Sequence, residues 1–157
     1  MIVELTNNDQ ERTTANKLYL LALGYYEGNG VARNEKTAFK WFSMSAQQGC
    51  PPAQIELGDF YCHGLVVKQN FGKAIELYKK AAGLGEKRAF SRLGYAYADG
   101  MEDYKESAKW YRKAARQSEW FACYRMGTFY RDGKGVKQSD KEADKWFGKA
   151  RKLNPSL

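Results

Sequence analysis

Apolar and polar positions along the chain alternate with two nested periods. Over short windows the apolar residues return every three or four positions, which is the spacing of a helix face. Over longer stretches the whole pattern repeats itself. The segments LALGYYEGNGV (21–31), LGDFYCHGLVV (57–67), LGYAYADG (93–100) and MGTFYRDGKGV (126–136) superpose. With Ala22, Gly58, Gly94 and Gly127 as origins, Tyr25, Tyr61, Tyr97 and Tyr130 lie three residues on, and Gly28, Gly64, Gly100 and Gly133 lie six on. A polar residue follows (Asn34, Asn70, Asp103, Ser139), then a small one (Ala38, Ala74, Ser107, Ala143), then a bulky pair (Trp41-Phe42, Leu77-Tyr78, Trp110-Tyr111, Trp146-Phe147). The origins are 36, 36 and 33 residues apart. The short interval is a single deletion between Gly94 and Ser107.

Each copy predicts two helices. Helix A carries the origin and the Tyr one turn later on one face, and the small origin residue lets helix B approach closely. The Gly six residues on supplies a left-handed turn that ends helix A. Asn34, Asn70, Asp103 and Ser139 are N-caps of helix B, which closes at Gly49, Gly85, Ser118 and Asn154. Helices this short are marginal alone, so the bulky pairs are expected to be buried between neighbours. The repeats then run over approximately 17–52, 53–88, 89–121 and 122–154, after an N-terminal extension 1–16. In that extension Asn8 and Glu11 have capping-box spacing, which predicts that the first helix begins near residue 9 and runs longer than the others. Ile2, Val3 and Leu5 are available to cover the open first repeat.

The pattern LGxxYxxGxGV, a capping residue, A-x-x-W-[FY]-x-x-[AS]-A and a terminal Gly resembles the Sel-one-like repeat, a relative of the tetratricopeptide repeat. The resemblance covers about residues 17–154. Repeat 1 departs from it at Ala22 and Lys17, repeat 3 lacks the GxGV loop, and repeat 2 has LVV in its place. The resemblance implies an all-α, right-handed α-solenoid of four two-helix repeats, forming a single domain over 1–157. Its members mostly act as adaptors or scaffolds, and it implies no reaction and no cofactor. A specialised form is an immunity protein that sequesters a toxin. Secreted relatives that bind or cleave β-lactams carry paired cysteines in every repeat; this chain has three cysteines without such pairing.

By the same resemblance, the side of helix A away from its core lines a concave groove. That side takes offsets −6, −3, +1, +4 and +5 from each origin. It reads Asn16, Tyr19, Leu23, Tyr26, Glu27; Pro52, Ile55, Asp59, Cys62, His63; Arg88, Ser91, Tyr95, Ala98, Asp99; and Phe121, Tyr124, Thr128, Arg131, Asp132. From it we take Tyr19, Leu23, Tyr26, Ile55, Asp59, Cys62, Arg88, Ser91, Tyr95, Phe121, Tyr124 and Arg131 as candidate residues for binding a protein or peptide partner. Large amphipathic rings are enriched at such interfaces, and Glu27, Asp59, Asp99 and Asp132 would meet basic groups on the partner. The last helix has no helix after it, which makes that end a candidate surface for a homodimer.

Composition narrows these readings. The net charge of +8 resides in the B helices, while the rest of the chain is neutral. The resulting ridge, Lys105, Lys109, Arg112, Lys113, Arg116 and Lys141, Lys145, Lys149, Lys152, is the basis of the alternative reading as a nucleic-acid or anionic-surface binder. A solvated face interspersed with Glu and Asp is the favoured account, because no Arg/aromatic interleaving of the base-stacking type accompanies it. No apolar run is long enough to span a bilayer. Cys50, Cys62 and Cys123 suit reduced thiols and a cytoplasmic protein, and with one His they make no four-ligand zinc site. His63, with Asp59 four residues before it, is the sole general-base candidate. Cys62 points about 100° away from it on a helix, so a Cys–His dyad is poor, and a hydrolase is the least favoured reading.

Overall fold

The computed structural model describes residues 7–157, with side chains from Gln10 onward. The expectations for Ile2, Val3 and Leu5, and for the Asn8 side chain, lie outside the described residues. Eight helices follow in order: α1 Asn7–Glu27, α2 Glu35–Gln47, α3 Pro51–His63, α4 Phe71–Gly83, α5 Arg88–Tyr95, α6 Tyr104–Ala115, α7 Trp120–Asp132 and α8 Asp140–Leu153. They form an all-helical solenoid of paired helices, four pairs in all. The chain divides into two compact units, one ending at Glu86 with α1 to α4 and one over Lys87–Leu157 with α5 to α8. Helix α1 is the longest, and its backbone is already helical at Asn8, so Asn8 is not the cap.

Every B helix starts on the predicted cap. The Asn34, Asn70 and Asp103 carboxamide or carboxylate oxygens accept from the Thr37, Lys73 and Glu106 N–H at 3.0, 2.9 and 3.0 Å, and Ser139 Oγ accepts from the Glu142 N–H at 3.3 Å. Each cap residue also gives its own N–H to the carbonyl of the repeat tyrosine. Asn34 donates to Tyr25, Asn70 to Tyr61, Asp103 to Tyr97 and Ser139 to Tyr130, at 2.7–2.9 Å. This bond fixes where helix B begins relative to the end of helix A.

The bond survives the deletion in repeat 3 because helix A changes its winding. Gly28, Gly64 and Gly133 end their helices at φ of 77°, 69° and 67°, as expected. Gly100 does not: α5 passes into a wide π-helical turn over Ala96–Gly100, and the left-handed residue is Glu102, at φ 53°. With three residues fewer to span the gap, the helix itself makes the turn. Helix B closes at the expected positions in two ways: Gly49, Gly85 and Ser118 are left-handed, whereas Asn154 is extended at φ −138°.

Two non-glycine residues hold left-handed conformations where sister repeats use Gly. Val66, at φ 65°, stands where the loops of repeats 1 and 4 have Gly30 and Gly135, and Ser118, at φ 61°, stands where Gly49 and Gly85 close their helices. A β-branched residue pays the larger steric cost there. Val66→Gly is expected to stabilise the protein by about 1 kcal/mol and Ser118→Gly by somewhat less. Equilibrium urea unfolding checks both, as a rise in midpoint at constant slope.

The core is built ring on glycine. A Cβ on Gly94 would stand 2.7 Å from the Tyr111 ring and one on Gly127 2.6 Å from Phe147, and Gly58 lies against Tyr78 in the same way. Phe42, Tyr78 and Tyr111 are fully buried; Phe147 and the first members of the pairs are half-buried. Within unit 1, Phe39, Phe42 and Ala46 of α2 meet Ala53, Leu57 and Phe60 of α3. Within unit 2, Ala108, Tyr111 and Ala115 of α6 meet Ala122, Met126 and Phe129 of α7.

Candidate protein-binding surface

The structure divides the expected stripe by offset. At about 100° per residue, offsets −3 and +4 lie only some 50° from the origin. They are one turn either side of it and bracket the ring that the origin admits. Tyr19 and Tyr26 flank Phe42, with centroids 5.9 and 6.2 Å away, and Tyr26 also reaches Phe60 at 5.7 Å. Tyr124 lies 5.5 Å from Phe147, and the Arg131 guanidinium 5.9 Å from the same ring. Ile55 and Cys62 are 1% exposed, and Ser91 is buried at the same offset as Ile55. These three therefore belong to the interior and are corrected as surface contacts. Their offsets lie within about 60° of the origin, so the helix B ring that the origin admits covers them.

Offsets −6 and +5 stay outside: Asn16, Arg88 and Phe121, and Glu27, His63, Asp99 and Asp132, are exposed. At +1, Leu23, Asp59, Tyr95 and Thr128 are half-buried. Among the four acidic residues, three are engaged within the chain. Asp59 accepts a 2.5 Å hydrogen bond from the Tyr78 hydroxyl, Asp99 pairs with Arg125 at 2.9 Å, and Asp132 pairs with Arg131 at 2.8 Å, which holds the Asp132 carboxyl below its ordinary range.

The exposed aromatic surface is concentrated on α7. Trp120, Phe121 and Tyr124 are 37%, 37% and 39% exposed. They are held in place from below: Trp120 meets Phe121 edge-on at 5.8 Å, Phe121 meets buried Tyr111 at 6.3 Å, and Tyr124 rests on Phe147. Rings fixed in this way lose little freedom on binding. Beside them opens a cleft of about 310 Å³, lined by Tyr124, Arg125, Arg131, Asp132 and Lys134 with Asp99 and Tyr104. Sequence reasoning missed Trp120, Arg125 and Lys134. Trp120 was legible as a departure, since sister repeats have Ala15, Pro51 and Lys87 at its position.

The basic ridge on the B helices is partly neutralised. Lys80, Lys109 and Lys145 pair with Glu76, Glu106 and Glu142 at 2.6–2.9 Å. Lys113 and Lys149 lie over the Trp110 and Trp146 rings at 4.0 and 4.4 Å. Cys62 is sealed in the core while His63 next to it is exposed, so the two do not form a nucleophile–base pair. Among the described residues no group of His, Cys, Asp and Glu is arranged to hold a metal ion, and no helix is long and apolar enough to cross a membrane.

Capped helix pairs of one design, three of them closed by a ring of helix B set on a glycine of helix A, define a tandem two-helix repeat protein, a class that serves protein–protein interaction. Residues 18–50, 51–86, 91–119 and 120–155 each match the Sel1 repeat. The chain belongs to the Sel1 repeat family. It is similar to the crystal structure of c5321, a protective antigen of uropathogenic Escherichia coli with an SLR fold, at TM-score 0.81 and 33% identity, covering 96% of this chain and 34% of that one. A Sel1 repeat protein from Oxalobacter formigenes shares the fold at TM-score 0.82 and 24% identity, covering 93% of this chain and 59% of that one. Chitin synthase regulator SKT5 of Saccharomyces cerevisiae is 43% identical over 61 residues, which are 39% of this chain and 9% of the regulator. The chain therefore spans about a third of the antigen and a small fraction of the yeast protein.

Proposed function

We propose that this chain is a non-catalytic binding module that holds a peptide or protein segment on the outer face of α7. The observation that supports this reading is the row of Trp120, Phe121 and Tyr124, half out of solvent on one helix beside an open cleft. Large rings anchored from below and rimmed by charged residues are the usual centre of a protein interface. Arg131 lies at the rim with its guanidinium near the Phe147 ring, and Lys134 lies over Tyr104 at 5.0 Å. The partner is then expected to insert apolar or aromatic side chains between these groups. The expected groove of four acidic residues is not the attraction, since three of them are already bonded within the chain.

Phe121→Ala with Tyr124→Ala is the test. The double variant is expected to lower the affinity for the physiological partner at least tenfold, with each ring contributing more than about 1 kcal/mol, while the melting temperature falls by only a few degrees. Affinity capture from the native extract, followed by mass spectrometry on wild-type and variant baits, gives the comparison. Equal recovery of the same partner by both would remove α7 as the binding face. One partner recovered in a stoichiometric complex and silenced by it would mark an inhibitor, as in an immunity protein; several would mark a scaffold.

A further inference from the structure

The sequence sets cations at the start of α5, where helix electrostatics oppose them. The first turn of a helix presents unbonded N–H groups and the positive end of the macrodipole, so acids are favoured there. In α5 the cap position is Lys87 and the first helical residue is Arg88, and the turn holds neither a side-chain cap nor an acid. Arg92 follows one turn later on the same face. By contrast, α7 starts on Glu119. Lys87, Arg88 and Arg92 are exposed. Together with Gln117 and Glu119 they line a cleft of about 430 Å³. Its lining therefore holds three cations and one acid.

The cleft beside Tyr124 has the same imbalance. Its lining holds Arg125, Arg131 and Lys134 against Asp99 and Asp132. The two acids are held in ion pairs by Arg125 and Arg131, while Lys134 lies over the Tyr104 ring. Helix α7 connects the two clefts. Its cap Glu119 lines the first, Tyr124 and Arg131 line the second, and the exposed rings of Trp120 and Phe121 lie on the turn between. From Trp120 to Arg131 the helix rises about 16 Å, a span that about five residues of extended chain cover.

An apolar row with positive charge in excess at each end selects its partner by charge complementarity. A polyanion such as RNA needs cations along its whole track, with bases stacked among them. Here the cations gather at the two ends, and Glu119, Asp99 and Asp132 sit among them. With α7 as the binding face, on which this inference rests, we propose that the partner segment is a short acidic one. It is an extended stretch that sets large apolar or aromatic side chains against Phe121 and Tyr124. Asp or Glu on one side of them meets Lys87, Arg88 and Arg92, and Asp or Glu on the other side meets Arg131 and Lys134.

A displayed library of random peptides, panned at low salt on the whole chain, is the test. The enriched peptides are expected to carry Asp or Glu on both sides of an aromatic or large apolar centre, with an affinity that falls steeply with added salt. For one such peptide bearing a fluorophore, Lys87→Glu with Arg88→Glu is expected to weaken binding at least tenfold in fluorescence anisotropy, and Arg131→Glu with Lys134→Glu likewise. All four sites are exposed, and acids at 87 and 88 suit the start of α5, so both variants should keep the fold. Exchanging the acids at one end of the peptide for Lys should restore affinity for one variant and not the other, which a general loss of structure would not do. Peptides that need Phe121 and Tyr124 but are neutral or basic around their centre, or that bind both reversed variants as well as wild type, overturn the acidic assignment and leave α7 as the binding face. Peptides that bind equally to the Phe121→Ala, Tyr124→Ala variant overturn both. A library that enriches nothing over a bait-free control also overturns the acidic segment, as does a uridine oligonucleotide that displaces the labelled peptide at lower concentration than the unlabelled peptide does.

Discussion

Tyr111→Ala is expected to cost about 3–5 kcal/mol of unfolding free energy, the range for removing a fully buried aromatic ring. The ring is the centre of unit 2. It sits on Gly94 with three ring atoms within 2.8 Å of where a Cβ would be, meets Phe129 at 5.9 Å and Phe121 at 6.3 Å, and lies with Ala108, Ala114 and Met126. No neighbour can fill the gap, because Gly94 contributes no side chain. The hydroxyl contributes little: it is buried beside Arg125 without a hydrogen bond of ordinary geometry, and burial pushes the phenol far above its ordinary range. Tyr111→Phe should therefore stay within about 1 kcal/mol of wild type. Tyr78→Phe, which deletes the hydrogen bond to Asp59, should cost about 1–2 kcal/mol. Chemical denaturation of the three variants separates ring from hydroxyl. A Tyr111→Ala loss below 2 kcal/mol would mean that α5 and α6 close over the void.

Gly135→Ala is expected to cost about 2–4 kcal/mol, against about 1 kcal/mol for Gly30→Ala. Both glycines are left-handed, at φ of 69° and 76°, so both substitutions carry the same backbone strain. They differ in what surrounds them. A Cβ on Gly30 meets nothing within 4 Å, whereas on Gly135 it would overlap the Tyr104 carbonyl and approach the Lys105 nitrogen to 2.7 Å. Those are backbone atoms at the start of α6 and cannot rotate away. The Gly135 variant should also disturb the cleft beside Tyr124, since Tyr104 and Lys134 line it. Thermal unfolding of the pair, with wild type, checks the difference. Equal losses would show that strain alone sets the cost and that the loop yields.

Several features were legible because they are local. A cap needs one polar side chain beside a helix start, so Asn34, Asn70, Asp103 and Ser139 could be read from spacing, and all four make the bond. A left-handed turn needs a residue that tolerates positive φ, so Gly28, Gly64 and Gly133 were predictable. Gly100 was not, because removing three residues left the chain a choice between a different turn and a different helix. Only the closing geometry between Tyr97 and Asp103 selects the π-helical winding.

The candidate surface was less legible, and the same glycines explain why. A wheel assigns each residue an angle and treats the neighbouring helix as a plane. With Gly58, Gly94 and Gly127 at the origin, the helix B ring sinks far enough to touch residues one turn away on either side. Those shoulders become interior where they are small or aliphatic, as at Ile55, Cys62 and Ser91, and stay half-exposed where they are too large to be swallowed, as at Tyr124 and Arg131.

By itself the sequence determined the repeat, the starts and caps of the B helices and the confinement of the net charge to them, because each follows from neighbours within a turn or two along the chain. The tertiary structure alone decided which rings face solvent and which acids are already bonded. Those depend on how closely two helices approach, and that distance is set by side chains distant in sequence.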